Sequence, residues 1–445
     1  MKTIVEANSL IKKVWGTPKP KETEYRLIRY HLRTECDKGE LLHNIVTGEM
    51  VLLDQRDSKL LRRLPAKLSE DMSELIAHHF LVPTCFDEKK SVYQLRGIIS
   101  RLKKTENITE YTILPTSDCN ARCFYCYESG YPHVSMTKET ADRVIDYIAK
   151  HCGEKKRVHL QWFGGEPLLG EKRIDQICNG LKQRGIEYKS SMISNTYLFT
   201  EEMALKAKEL WKLEHIQSTL DGTEEIYNCS KSYVNIKDNA YKRVLGNIGY
   251  LLDQGIRVSV RLNLGQHNAD DLWTLIDELA ELYSGRSGFS IYAGILFNDL
   301  GFMPVHYNEQ IRLELEQVRL SLEEYIKEKK CKQKSVSLPH LKMGCCMADN
   351  DNAILINPQG EFGHCEHYIF EKFSGDILSG RDQKGIAYWK ELKEWPKCDT
   401  CILFPKCVLL QHCGNENECL DITIEDEIKS YQRHMIDKIS GTENI

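Results

Sequence analysis

The sequence has no apolar run near the roughly 18 residues that a membrane span needs. Its opening stretch, MKTIVEANSLIKKVWG, has neither the sustained apolar segment nor the small-residue cleavage site of a secretory signal. It also lacks an excess of one charge: the formal net charge is −5, and no basic patch stands out that would attract nucleic acid or anionic lipid. These absences predict a soluble, cytoplasmic protein with neither nucleic acid nor a membrane as partner. In that compartment thiols stay reduced, so 17 cysteines in 445 residues do not read as a disulfide framework. Reduced thiols crowded at short spacing point to metal instead.

Cysteine is unevenly spread. Residues 1 to 105 hold only Cys36 and Cys85, residues 119 to 126 hold Cys119, Cys123 and Cys126, and residues 345 to 419 hold eight. The stretch between is regular. Six strand-like runs, YTILPT (111–116), RVHLQWF (157–163), YKSSMIS (188–194), HIQSTL (215–220), RVSVRLNL (257–264) and FSIYAGILF (289–297), alternate with amphipathic helical stretches. In TKETADRVIDYIAKH, Thr137 is placed to cap a helix that carries Ala141, Val144, Ile145 and Ile148 on one stripe. Six βα units in series imply a parallel sheet, open or rolled into a barrel, with its chemistry in loops after the strands. The cysteine trio lies directly after the first strand.

The N-terminal region reads differently. YRLIRYHLR, ELLHNIV and MVLLD are short strands, helical stretches follow near 56–64 and 69–80, and LVPTCF with SVYQLR closes as a hairpin or wing. Such a winged-helix-like domain binds a partner or caps its neighbour.

Three thiolates hold three corners of an iron–sulfur cube and leave one iron open. The alternative is zinc, with His133 or a distant cysteine as fourth ligand, although C-x3-C-x2-C with no second pair beside it fits zinc ribbons poorly. CNARCFYC after the first strand of a βα domain resembles the signature of radical S-adenosylmethionine enzymes. So does Gly164-Gly165-Glu166-Pro167 after the second strand, where glycines permit close backbone approach and a carboxylate receives an ammonium. The resemblance implies a partial (β/α)6 TIM-type barrel. It also implies a 4Fe-4S cluster on Cys119, Cys123 and Cys126, S-adenosylmethionine chelating the open iron, and Tyr125 lying against the adenine. Ser194 with Asn195, and Arg261 with Asn263, resemble the family's polar contacts to the cofactor; otherwise they are interior polar residues. Asp221, in STLDG, is a candidate catalytic proton acceptor or a cap of the following helix.

Near the C-terminus, Cys346, Gly360, Cys365, Cys398-x2-Cys401-x5-Cys407 and two final cysteines resemble the SPASM extension of peptide-modifying members of that family. By resemblance, Cys345 or Cys346, Cys365 and Cys413 hold one auxiliary 4Fe-4S cluster. Cys398, Cys401, Cys407 and Cys419 hold a second, making three in all. Two departures stand out: five residues separate Cys407 from Cys413 where three are usual, and Cys345-Cys346 is a tandem pair. Zinc knuckles are the alternative.

The organisation expected is 1–105, a PqqD-like leader-recognition domain; 106–330, the barrel; 331–422, the SPASM domain; and 423–445, a helix. The implied activity is hydrogen abstraction from a ribosomally made precursor peptide by a 5′-deoxyadenosyl radical, forming a cysteine sulfur-to-carbon thioether of the ranthipeptide or sactipeptide type. A low-potential donor such as flavodoxin or ferredoxin would supply electrons, and the leader would dock as an added strand. A carbon–carbon or carbon–oxygen cross-linker, an epimerase and an anaerobic sulfatase-maturing enzyme share most of these motifs. A non-catalytic iron–sulfur electron-transfer protein would not need GGEP.

Overall fold

The computed structural model of the chain describes residues 1–16, 24–103, 107–235, 238–296, 307–332, 337–342, 346–407, 409–411 and 421–440. Contacts divide it into two compact units that do not follow linear order. The first gathers Met1–Lys104, Val336–Asp349 and Leu392–Ile445; the second gathers Thr105–Ser335 and Asn350–Glu391.

The first unit is built on a four-stranded antiparallel sheet. Strands β1 (Lys2–Val5), β2 (His31–Cys36), β3 (Gly39–Asn44) and β4 (Met50–Leu53) lie in the order β1-β4-β3-β2. The run YRLIRYHLR is not one strand: it breaks around Ile28–Tyr30, and Glu24–Leu27 pairs instead with Leu81–Pro83. SVYQLR is not a strand either, but part of helix α1 (Glu88–Lys103). Val92, Leu95 and Ile99 recur at helical spacing and are all buried, so burial of that stripe decides for helix. The same core takes in Tyr30, Leu32 and Leu41 from the sheet, Leu403 and Phe404 from the cysteine-rich tail, and Met435 from the helix Asp421–Ser440.

The second unit contains all six expected strands: β5 (Glu110–Thr116), β6 (Arg157–Gly164), β7 (Glu187–Ile193), β8 (Leu213–Leu220), β9 (Arg257–Leu264) and β10 (Phe289–Ile295). They are parallel and adjacent in chain order. Two strands absent from the sequence reading, β11 (Ala353–Ile356) and β12 (Phe362–Gly363), extend the sheet past β5, giving the order β10-β9-β8-β7-β6-β5-β11-β12. β11 joins β5 in parallel, so β5 is an inner strand, and Tyr111–Thr116 are buried on both faces. Between β5 and β6, Thr137 caps the helix Lys138–His151 by accepting from the Thr140 backbone N–H at 3.1 Å, and the stripe Ala141, Val144, Ile145 and Ile148 is buried as read. Helices Glu224–Lys231 and Glu309–Glu328 were not anticipated.

Candidate active site

The ends of the parallel strands bring the expected residues together. After β5, Thr116 Oγ1 accepts from Asp118 N–H at 3.0 Å, and Asp118 Oδ1 accepts from Cys119 N–H at 2.8 Å. The loop is then held from the other side: Arg122 N–H donates to Lys231 O at 2.9 Å, and its guanidinium donates to Cys119 O at 2.5 Å. Cys119, Cys123 and Cys126 are half-buried, and none is in a disulfide. His133 pairs with Asp118 at 3.1 Å.

The GGEP glycines serve this loop. A Cβ on Gly164, which has φ +114°, would lie 2.2 Å from Thr116 O, and one on Gly165 would lie 2.4 Å from Asp118 O. Only glycine lets the end of β6 press against the segment carrying the trio. Glu166 follows, fully buried. Its backbone N–H donates to Asp118 O at 2.9 Å, and its carboxylate accepts from Ser194 Oγ at 2.8 Å, Asn195 N–H at 2.9 Å and Leu168 N–H at 3.2 Å. Burial lifts its pKa from 4.5 to about 7 despite those donors. Asn195 Nδ2 donates to Asn120 Oδ1 at 2.7 Å.

A second group forms beneath the trio. Asp221 is 0% exposed, and the side chain of Lys231 is 5% exposed. Their charged ends are 3.2 Å apart; Lys231 Nζ donates to Tyr125 Oη at 2.7 Å, and Tyr125 Oη donates to Asp221 Oδ2 at 3.0 Å. Asn263 Nδ2 donates to Asp221 Oδ1 at 2.9 Å. Asp221 does not cap the next helix, where Thr223 is the N-cap residue. Burial works against the charge on Lys231, but Asp221, Tyr125 and Cys123 hold its pKa well above the ordinary value. Sequence reasoning missed Lys231: nothing in YNCSKS marks a lysine that the fold turns inward.

Burial pushes the Cys119 thiol up to about 12, with Glu166 adding to it, and Cys126 to about 11, with Glu128 adding to it. Burial raises Cys123 too, but Lys231 opposes it. Cys119 feels Cys123 and Cys126, and Cys126 feels Cys123, so the three thiols lie near one another. A cationic iron centre would keep such thiols deprotonated. Asn120 Nδ2 and Glu128 Oε2, in and just after the trio's loop, and Arg261 Nε on β9 are buried without a hydrogen-bond partner among the described residues. A Cβ on Gly294 would come within 2.9 Å of Arg261 Nε, so glycine there leaves the guanidinium its space. Soft sulfur donors beside unspent polar groups fit a cluster with a polar chelating cofactor. Among the described residues, no three His, Cys, Asp or Glu gather tightly enough to hold a single metal ion.

Of the C-terminal cysteines, Cys345, Cys413 and Cys419 lie outside the described residues. Cys346 belongs to the first unit and Cys365 to the second. Cys398, Cys401 and Cys407 share the first unit, and the Cys407 thiol, raised by burial, also feels Cys401 and Cys398. Cys152, Cys178 and Cys331 are buried; Cys36 is partly buried, and Cys85 and Cys229 are exposed.

The parallel βα sheet therefore carries the trio after one strand and GGEP after the next. Residues 113–279 match the model of the Radical SAM superfamily. Among curated proteins, the chain is 27% identical over 171 residues to the radical SAM cyclopropyl synthase TigE of Paramaledivibacter caminithermalis, covering 32% of this chain and 35% of TigE. It is 21% identical over 217 residues to the sporulation killing factor maturation protein SkfB of Bacillus subtilis, covering 47% of this chain and 49% of SkfB. It thus spans about a third to a half of the length of these relatives. The crystal structure of Streptococcus suis SuiB bound to precursor peptide SuiA shares the fold, with TM-score 0.51, 14% identity, and coverage of 86% of this chain and 94% of SuiB. No described helix is long and apolar enough to cross a membrane.

Proposed function

We propose that the chain is a radical S-adenosylmethionine maturase of a ribosomally made peptide, and that it forms a thioether between a peptide cysteine and a carbon. The observation that carries this reading is the trio at the end of β5, braced by Gly164 and Gly165, with Asn120 Nδ2 and Glu128 Oε2 buried without partners in the same segment. Cys119, Cys123 and Cys126 would hold a 4Fe-4S cluster, which together with S-adenosylmethionine would supply the radical that abstracts hydrogen from an unactivated carbon. The residues of the chain position and shield that chemistry. Tyr125 is fixed through its hydroxyl by Lys231 and Asp221, which leaves its ring as a wall of the site. Arg261 offers a cation to a carboxylate. Glu166 fixes Ser194 and Asn195 in place, and Asp221, with its partners already made, acts as a positioning group.

The relation to SkfB and the peptide held by SuiB support a peptide substrate. We read residues 1–105 as a PqqD-like, winged-helix-like leader-recognition domain, the six βα strands as a partial barrel, and the C-terminal cysteines as a SPASM set of two auxiliary 4Fe-4S clusters. A flavodoxin or ferredoxin is the fitting electron donor. The name of TigE favours one competing reading, carbon–carbon bond formation. Anaerobic incubation with a candidate cysteine-rich peptide, followed by mass spectrometry with and without thiol alkylation, decides between them. Thioether formation removes two hydrogens and one alkylatable thiol; loss of hydrogens with every thiol intact overturns the thioether. The Cys126→Ala protein is expected to lose both cofactor cleavage and peptide modification, and surviving cleavage overturns the site itself.

A further inference from the structure

The loop carrying Cys398, Cys401 and Cys407 is gripped by cations from the N-terminal region. Arg96, on α1, donates through Nη2 to the carbonyls of Phe404 at 3.4 Å, Pro405 at 3.1 Å and Cys407 at 2.5 Å. Its guanidinium lies 5.5 Å from the ring centre of Phe404, a residue 1% exposed that also meets Tyr30 and Tyr93. Two further cations reach the same loop: Arg29 donates to Asp399 O at 2.6 Å, and Lys89 pairs with Asp399 at 2.6 Å and with Glu394. Arg96 Nε remains a buried donor with no partner among the described residues.

We propose that Arg96 is a positioning residue for the auxiliary cluster on Cys398, Cys401 and Cys407, and that its charge raises that cluster's reduction potential. The proposal rests on reading those cysteines as cluster ligands. The physical ground is charge. Reduction adds an electron to a cluster already surrounded by thiolates, and a fixed cation in a low-dielectric setting favours the reduced state. Guanidinium suits the task because it stays charged when buried and its planar fork spans several carbonyls at once. The domain read as binding the leader would therefore also set the electron affinity of an auxiliary centre.

The test uses the full-length chain, reconstituted anaerobically, with Cys119, Cys123 and Cys126 changed to Ala so that auxiliary signals stand alone. EPR-monitored potentiometric titration, with the signal assigned by its loss in Cys401→Ala, is run for Arg96→Gln and Arg96→Lys. Arg96→Gln is expected to titrate at a lower potential than the parent, and Arg96→Lys, which keeps the charge, near the parent. A parent-like potential in Arg96→Gln overturns the proposal. If Arg96→Gln fails to retain iron, Arg96→Lys decides: a parent-like potential supports the role of charge, and loss of its cluster with helicity unchanged shows a merely structural residue. If the chain without the barrel trio binds no iron, the cluster reading of the C-terminal cysteines fails and the proposal falls with it.

Discussion

Lys231 shows how much of this site depends on single buried groups. Its ammonium and the Asp221 carboxylate are both out of water, and each depends on the other together with Tyr125 and, for Asp221, Asn263. Lys231→Met removes the cation facing Asp221, which costs about 3–5 kcal/mol by the usual penalty for breaking a buried pair. Denaturant titration should show that loss, and Lys231→Met combined with Asp221→Asn should recover much of it; additive losses would show that the two do not form a pair. Glu166 carries a different signature. Folding raises its pKa from 4.5 to about 7, so the folded state binds the proton more tightly than the unfolded chain does. Its contribution is therefore most favourable below pH 4.5 and is lost as pH rises through about 7, at up to about 1.4 kcal/mol per unit. In iron-free protein, Glu166→Gln should flatten stability against pH across that window, and an unchanged slope would place the titration elsewhere.

The elements were legible in different degrees. The six parallel strands could be read because each is a short, β-rich run between amphipathic helices, and the two periodicities separate cleanly. β11 and β12 escaped because AILI and FG are too short to stand out, and only pairing with β5 makes the first of them part of the large sheet. SVYQLR was misread because six residues do not distinguish alternation from a helical stripe until the burial of Val92, Leu95 and Ile99 does so. The glycines of GGEP relieve contact with the trio's own loop, a role the motif alone does not reveal. Gly165→Ala would drive a methyl to 2.4 Å from Asp118 O, against backbone that cannot yield cheaply. Its expected effect is iron loss from the trio with helicity retained, read by iron analysis and circular dichroism; full iron content would show that the loop can relax.

For the whole molecule, the linear plan of recognition domain, barrel, cysteine-rich domain and terminal helix does not describe how the chain packs. Residues from positions 1–104 share a core with Leu403, Phe404 and Met435, so the N-terminal region is not a detachable module. Deleting residues 1–100 strips Tyr30, Leu32, Leu41, Val92, Leu95 and Ile99 from that core. On the three-cluster proposal the intact chain is expected to hold on the order of 12 irons. The deletion should lose at least the roughly four irons assigned to Cys398, Cys401 and Cys407, and retention of all iron would show that the cysteine loop is held without its N-terminal partner.

The sequence by itself determined the βα repeat, the trio, GGEP and the clustering of cysteines, because each is local: a periodicity or a spacing is written in consecutive residues. Only the tertiary structure decided that Lys231 stands against Asp221 and Tyr125, that Glu166 is sealed among Ser194, Asn195 and Leu168, and that Arg96 grips the Cys407 loop 311 positions away. Those are electrostatic and hydrogen-bonding relations across long separations in the chain. They arise when burial removes water as the alternative partner, and no local pattern encodes them.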